Sequence, residues 1–152
     1  MDFGRYKLFT ENEMETKWLL PVIIALLLIL LIISGARAEE TQIIAEVIAA
    51  EAADQDEIGL RAVACVIANR AKAQGVSPYV VVTARNQFFG YTAKNRYKLY
   101  LQVKPIVDRL AKDIMSLQDI TNGALYFLRK NEQRRKWHKV FCKQYGHHFF
   151  YK

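Results

Sequence analysis

The stretch Thr41-Gln42-Ile43-Ile44-Ala45-Glu46-Val47-Ile48-Ala49-Ala50-Glu51-Ala52 decides how this chain is read. Ile44, Val47 and Ile48 recur at helical spacing and form an apolar stripe. Glu51 falls three residues past Ile48 and four past Val47, so it continues that stripe. Burial penalises the charged form of a carboxyl and raises its pKa, which keeps a proton available near neutral pH. Cleaving a glycosidic bond needs a donor of that kind. On this segment alone, a structural glutamate neutralised by an arginine is the simpler reading. Its acidic neighbours have ordinary explanations. Asp54 and Glu57 are spaced as a capping box with Asp54 as N-cap, and Gln55 and Asp56 would fill the first turn of a second helix. Glu46 projects from the side opposite Val47 and Ile48 and is expected in solvent.

Working outward toward the N-terminus, residues 18–33 are apolar apart from Pro21, and Ala36-Arg37-Ala38 has the small residues of an Ala-x-Ala cleavage site. Residues 1–38 therefore read as a signal peptide or a membrane anchor, and 39–152 as one domain. The acids Glu11, Glu13 and Glu15 are unlike a compact basic leader, although a start at Met14 would leave a normal short one. Arg5, Lys7 and Lys17 precede the apolar run, which keeps the N-terminus inside and exports the rest, either anchored or secreted after Ala38. Basic and acidic residues cancel within 1–38, so the whole net charge of +7 belongs to 39–152. An exported basic domain meets anionic wall polymers or lipid surfaces more readily than nucleic acid. Cys65 and Cys142 could pair in an oxidising compartment, yet Cys65 in the apolar run 63–67 reads equally as core. Neither has the spacing of a metal site or an activated nucleophile.

Toward the C-terminus, a second helix is expected from about 55 to 73, with Leu60, Val63, Ala64 and Ile67 as its stripe and Gly75 as its stop. Residues 79–84 suit a strand, a short helix or an extended loop, and 86–98 a surface loop. A third helix should have Pro105 in its first turn and a stripe of Ile106, Val107, Leu110, Ile114 and Leu117. After a turn at 119–123, residues 124–128 read as a strand able to pair with 147–151 as a two-stranded ribbon, with the basic run 129–143 between them.

Three separated blocks then come in order. They are Glu51-Ala52 with Gly59 and Ala62-Val63-Ala64-x-Val66-Ile67-x-Asn69-Arg70; Asn86-Gln87-Phe88; and Thr121-Asn122-Gly123-Ala124-x-Tyr126-Phe127 joined to Gly146-x-His148-x-Phe150-Tyr151. Together they resemble the SleB-type cell-wall hydrolases, the spore-cortex-lytic enzymes and their phage and bacterial relatives. The resemblance implies a mainly α, lysozyme-like fold and cleavage of peptidoglycan glycan strands between N-acetylmuramic acid and N-acetylglucosamine. It implies Glu51 as the catalytic acid/base and no cofactor. The chain departs from the pattern at Ala53-Asp54-Gln55-Asp56 and Ile58, where relatives carry further acids and an Arg-Gly pair, and at His147, where Asn is expected.

A lytic transglycosylase needs one carboxyl group, whereas a hydrolase wants a second at a defined distance. With Asp54 and Glu57 assigned to capping, the transglycosylase is favoured. Gln87 and Asn122 are candidates to hydrogen-bond N-acetyl groups. Tyr91, Tyr126 and the pair Phe88–Phe89 are candidates to stack on sugars, though each aromatic suits core packing equally. Asn69 and Arg70 are expected to cap and anchor the end of the second helix, and His148 to hydrogen-bond in the core. Two other classes compete. A zinc amidase would use His138, His147 and His148, but adjacent strand histidines point to opposite faces. A membrane-tethered wall-binding protein would keep Glu51 as a structural residue.

Overall fold

In the computed structural model the backbone is described for residues 11–130, 132–133 and 140–152, with side chains from residue 18 onward. The chain separates into two compact units, Met1–Ala38 and Glu39–Lys152. The first helix, α1, is Glu11–Ala52 and contains Pro21. It is long and apolar enough, by length and composition, to cross a membrane. In the first unit every large apolar side chain from Trp18 to Ile33 is exposed, a surface that hydrocarbon accepts and water disfavours.

In the second unit, residues 44–49 at the end of α1 are buried on all sides. Ile44, Val47 and Ile48 share a core with Leu60, Val63 and Ile67 of α2 (Glu57–Gln74), Val81 and Val82 of α3 (Pro78–Thr83), and Tyr100, Val107 and Leu110 of α5 (Arg96–Lys112). Such all-round burial reverses the expectation for Glu46. It is buried, with Arg96 Nε at 2.7 Å and Gln42 Nε2 donating at 3.0 Å, because the start of α5 covers that side of α1.

The cap of α2 also lies elsewhere than expected. Asp56, not Asp54, is the N-cap, and its carboxylate accepts from the Gly59 N–H at 2.9 Å. Gln55 is drawn off to the C-terminal hairpin, where its Oε1 accepts from the His147 N–H at 3.0 Å. Gly75 ends α2 in the left-handed conformation, as the sequence suggests. Residues 78–83 form a helix because Ser77 caps it and Pro78 fits its first turn, which outweighs the β-branched valines. The expected loop 86–98 contains a short turn of helix, α4 (Phe89–Thr92), and the start of α5. Pro105 therefore sits inside α5. The carbonyl it leaves without a donor is that of Leu101, whose residue is exposed to water.

The sheet has three antiparallel strands, not two: β1 (Tyr126–Arg129), β2 (Phe141–Tyr145) and β3 (His148–Tyr151), in the order β1-β3-β2. The expected pairing runs from Tyr126↔Tyr151 to Arg129↔His148. The additional strand β2 lies on the other side of β3, with a register irregularity between Phe141 and Lys143. Phe150 packs with Ala62 and Val66 of α2 and with Ala124, which joins the sheet to the helices. Cys65 and Cys142 are both free thiols, and burial pushes the Cys65 thiol up, in keeping with core packing.

Candidate active site

The last turn of α1 presents Glu51 at a cleft of about 1000 Å³ whose wall includes Arg70, Gln87, Phe89, Tyr126, Arg129 and Glu132. The carboxyl is half-buried and held at one oxygen, since the Gly90 N–H donates to Oε1 at 2.6 Å. That contact requires α4 to lie tight on α1. A Cβ added to Gly90 would stand 2.9 Å from the Ala50 Cβ and 3.1 Å from both Glu51 Oε1 and the Val47 carbonyl. Only glycine lets the two backbones approach so closely.

Burial raises the Glu51 pKa above its ordinary 4.5, against the Gly90 hydrogen bond and the positive charge of Arg129, with Glu132 adding to the rise and Arg70 opposing it. The Arg129 Nη2 donates to the Glu51 carbonyl at 3.2 Å and lies 3.8 Å from Asp54 Oδ1. Burial also pushes the Asp54 carboxyl up, but hydrogen bonding at Gln55 and the Arg129 charge outweigh it and hold Asp54 below its usual value. Two nearby carboxyls are thus driven in opposite directions, the pattern that separates an acid from a permanently ionised neighbour.

Of the site residues expected from the sequence, Glu51, Gln87, Phe89 and Tyr126 come together at this cleft. Three do not line it. Phe88 is buried, its ring 6.2 Å from that of Phe127 and 5.0 Å from the Arg70 guanidinium, so it is core. Its neighbour Phe89, 83% exposed, is the member of that pair that lines the cleft. Tyr91 lies under the Arg96 guanidinium, to which its carbonyl accepts a hydrogen bond. Asn122 takes a positive φ of 58° in the turn organised by Asp119, whose carboxylate accepts from the Thr121 and Gly123 N–H groups.

Asn69 and Arg70 do not cap α2 but tie it to the segment before β1. Asn69 Nδ2 donates to the Ala124 carbonyl at 3.1 Å and Arg70 Nε to that of Leu125 at 2.5 Å. His148 is fully buried between the Phe127 and Phe150 rings, and among the described residues neither ring nitrogen has a hydrogen-bond partner, contrary to expectation. Burial holds its pKa down, aided by Arg129. Of the amidase trio, His147 is exposed and His138 lies outside the described residues.

Sequence reasoning missed Arg129 and Glu132 because the basic run hid a structured strand end. It expected Arg70 to cap as well as anchor α2, and only the anchoring is seen. The signal for Arg70 was available, since an arginine beside an apolar stripe must find acceptors wherever it is buried.

A family model for cell-wall hydrolases matches residues 54–151. The fold is similar to the catalytic domain of the SleB protein of Bacillus cereus, at 24% identity and a TM-score of 0.61 over 74% of this chain and 89% of that one. It is likewise similar to the catalytic domain of a germination-specific lytic transglycosylase, SleB, from Bacillus anthracis, at 26% identity and a TM-score of 0.60 over 74% and 93%. No curated protein matches the chain significantly. This chain belongs to the cell-wall hydrolase family, with a SleB-type fold. The matched segment begins three residues after Glu51.

Proposed function

We propose that the protein is an exported, peptidoglycan-degrading enzyme that cleaves the glycan strand as a lytic transglycosylase, with Glu51 as acid and then base. The observation that carries this reading is a carboxyl of raised pKa at the wall of a large cleft, with one oxygen fixed and the other, among the described residues, without a hydrogen-bond partner. The Gly90 N–H needs an acceptor, so the acidic proton belongs on Oε2. Oε2 donates that proton to the glycosidic oxygen as positive charge develops on the sugar ring. The carboxylate so formed is stabilised by Gly90, Arg129 and Arg70, the same groups that oppose the rise in its pKa. It then removes the proton of the muramyl 6-hydroxyl, and the oxygen closes on the anomeric carbon to give a 1,6-anhydro ring. Phe89 and Tyr126 supply flat apolar surfaces for sugar faces.

One observation favours a second reading. The expected reason for excluding a second carboxylate was capping by Asp54 and Glu57, and Asp54 is not a cap. More directly, Glu132 lines the cleft, its Oε2 accepting from the Arg129 N–H at 2.9 Å. A water activated by Glu132 would make the reaction a hydrolysis.

Mass spectrometry of muropeptides released from purified walls separates the readings. Anhydro-muramyl ends support the transglycosylase, reducing ends the hydrolase, and free stem peptides an amidase. Glu51→Gln should lower the rate by about 10²–10⁴-fold, the usual worth of general acid–base catalysis. Undiminished digestion by a folded Glu51→Gln protein overturns the assignment.

A further inference from the structure

Arg70 is a buried cation that, among the described residues, forms no ion pair. Its Nε is spent on the Leu125 carbonyl, and its guanidinium lies 5.0 Å from the centre of the Phe88 ring and 5.2 Å from that of Tyr126. Held so, it points Nη1 at Gln87, donating to Oε1 at 3.1 Å. A guanidinium has donors and no acceptor, which leaves the Gln87 amide one orientation: carbonyl toward Arg70, NH2 away from it. The Gln87 side chain is exposed on the same cleft as Glu51, and among the described residues Nε2 has no protein partner. An ordinary glutamine offers a ligand either a donor or an acceptor and pays rotamer entropy to choose. This one is set in advance.

We propose that Arg70 is a positioning residue that makes Gln87 a donor-only reader of a carbonyl oxygen, namely the acetamido group of an N-acetylated glycan. The inference rests on the cleft binding glycan strands, as argued above. It adds that the cleft distinguishes N-acetylated from de-N-acetylated sugars at this amide, where an ammonium would meet donors instead of finding an acceptor. A sugar hydroxyl would satisfy the same NH2 equally in both substrates, so the acetyl group is what the experiment must vary.

The test is binding by the full-length protein in detergent micelles, in a Glu51→Gln background so that no turnover occurs. Calorimetry would compare strands prepared N-acetylated, chemically de-N-acetylated, and re-acetylated. The expected result is a preference for acetylated strands of roughly tenfold or more, restored by re-acetylation. Gln87→Ala should abolish the preference. Gln87→Glu is the sharper variant, because it keeps the contact with Arg70 and hence the fold while replacing donors by an acceptor. It should bind acetylated strands no better than de-acetylated ones, with its melting temperature preserved. Arg70→Lys should reduce the preference, since a point charge does not fix the amide as a planar fork does. Equal affinity of the unmodified Gln87 protein for all three strands overturns the inference, as does a preference that survives Gln87→Glu. A protein that cleaves walls yet binds the strands without preference keeps the proposed function and loses only this addition.

Discussion

Glu46 and Glu51 lie on the same helix and share a backbone environment, so their difference is one of partners. Glu46 has a guanidinium at 2.7 Å, whereas Glu51 has an amide N–H at its carboxyl and guanidinium charges set back from it. The consequence for pH can be given a sign. The folded-state pKa of Glu51 is raised above the ordinary 4.5, so the unfolded chain releases this proton first. Stability from holding Glu51 neutral is fully present below the unfolded value and is lost as pH rises through the folded one. Glu51→Gln cannot lose it. Denaturant titrations should show the variant gaining on the wild type as pH goes from about 4 to 8, and a constant gap would contradict a raised pKa. Activity should fall over the same rise as the donor ionises. Glu51 was legible in the sequence because it stands on the apolar stripe. Glu46 was not, since periodicity describes one helix and cannot see a second helix arriving over its polar side.

Elements show the same limit. The end of α1 is surrounded, and what surrounds it includes α4 and the first turns of α5, a region whose mixed polar and aromatic residues carry no period. Two variants probe how these elements hold the site. Gly90→Ala should push α4 off α1, lowering stability by roughly 1–3 kcal/mol, the usual cost of overpacking, and breaking the hydrogen bond to Glu51. Thermal melts and lysis should both report it; an unchanged rate would mean that the N–H at Oε1 has no part in the chemistry. Arg96→Met should cost roughly 3 kcal/mol, the low end for breaking a buried pair, because Arg96 is 25% exposed while Glu46 is 8%. Adding Glu46→Gln to that variant should recover much of the loss. Strand β3 was readable as a run of aromatics, the mark of a strand covered on both faces. Strand β2 was not, because an edge strand with Lys143 and Gln144 exposed looks like any basic loop.

At the scale of the whole molecule, charge and hydropathy were legible early, since they need no knowledge of contacts. The family blocks were legible as well, and the matched segment 54–151 covers all of them but the first two residues. What sums could not reveal is which basic residues are free, and Arg70 and Arg96 are both committed internally. The remaining excess positive charge of residues 39–152 predicts wall binding that weakens with salt: co-sedimentation with purified walls should fall steeply between about 0.05 and 0.5 M NaCl, as screening shortens from beyond 10 Å to a few ångströms. Salt-independent retention would place recognition in the cleft alone. Every core residue of the second unit lies between Ile44 and Tyr151, so residues 39–152 should fold when expressed without the apolar N-terminal segment, as a cooperative thermal melt would show.

The seating of the Gly146 turn on Gln55 has a bearing on when the cleft becomes complete. A Cβ on Gly146 would stand 2.0 Å from Gln55 Oε1, so the segment just after Glu51 and the hairpin near the far end of the chain are fitted to one another. Strand β1, which carries Arg129 to the cleft, has β3 as its neighbour. A nascent chain would present Glu51 early and still lack a finished cleft until residue 151 had been added. Such an arrangement ties completion of the cleft to the last strand, a dependence written into strand order.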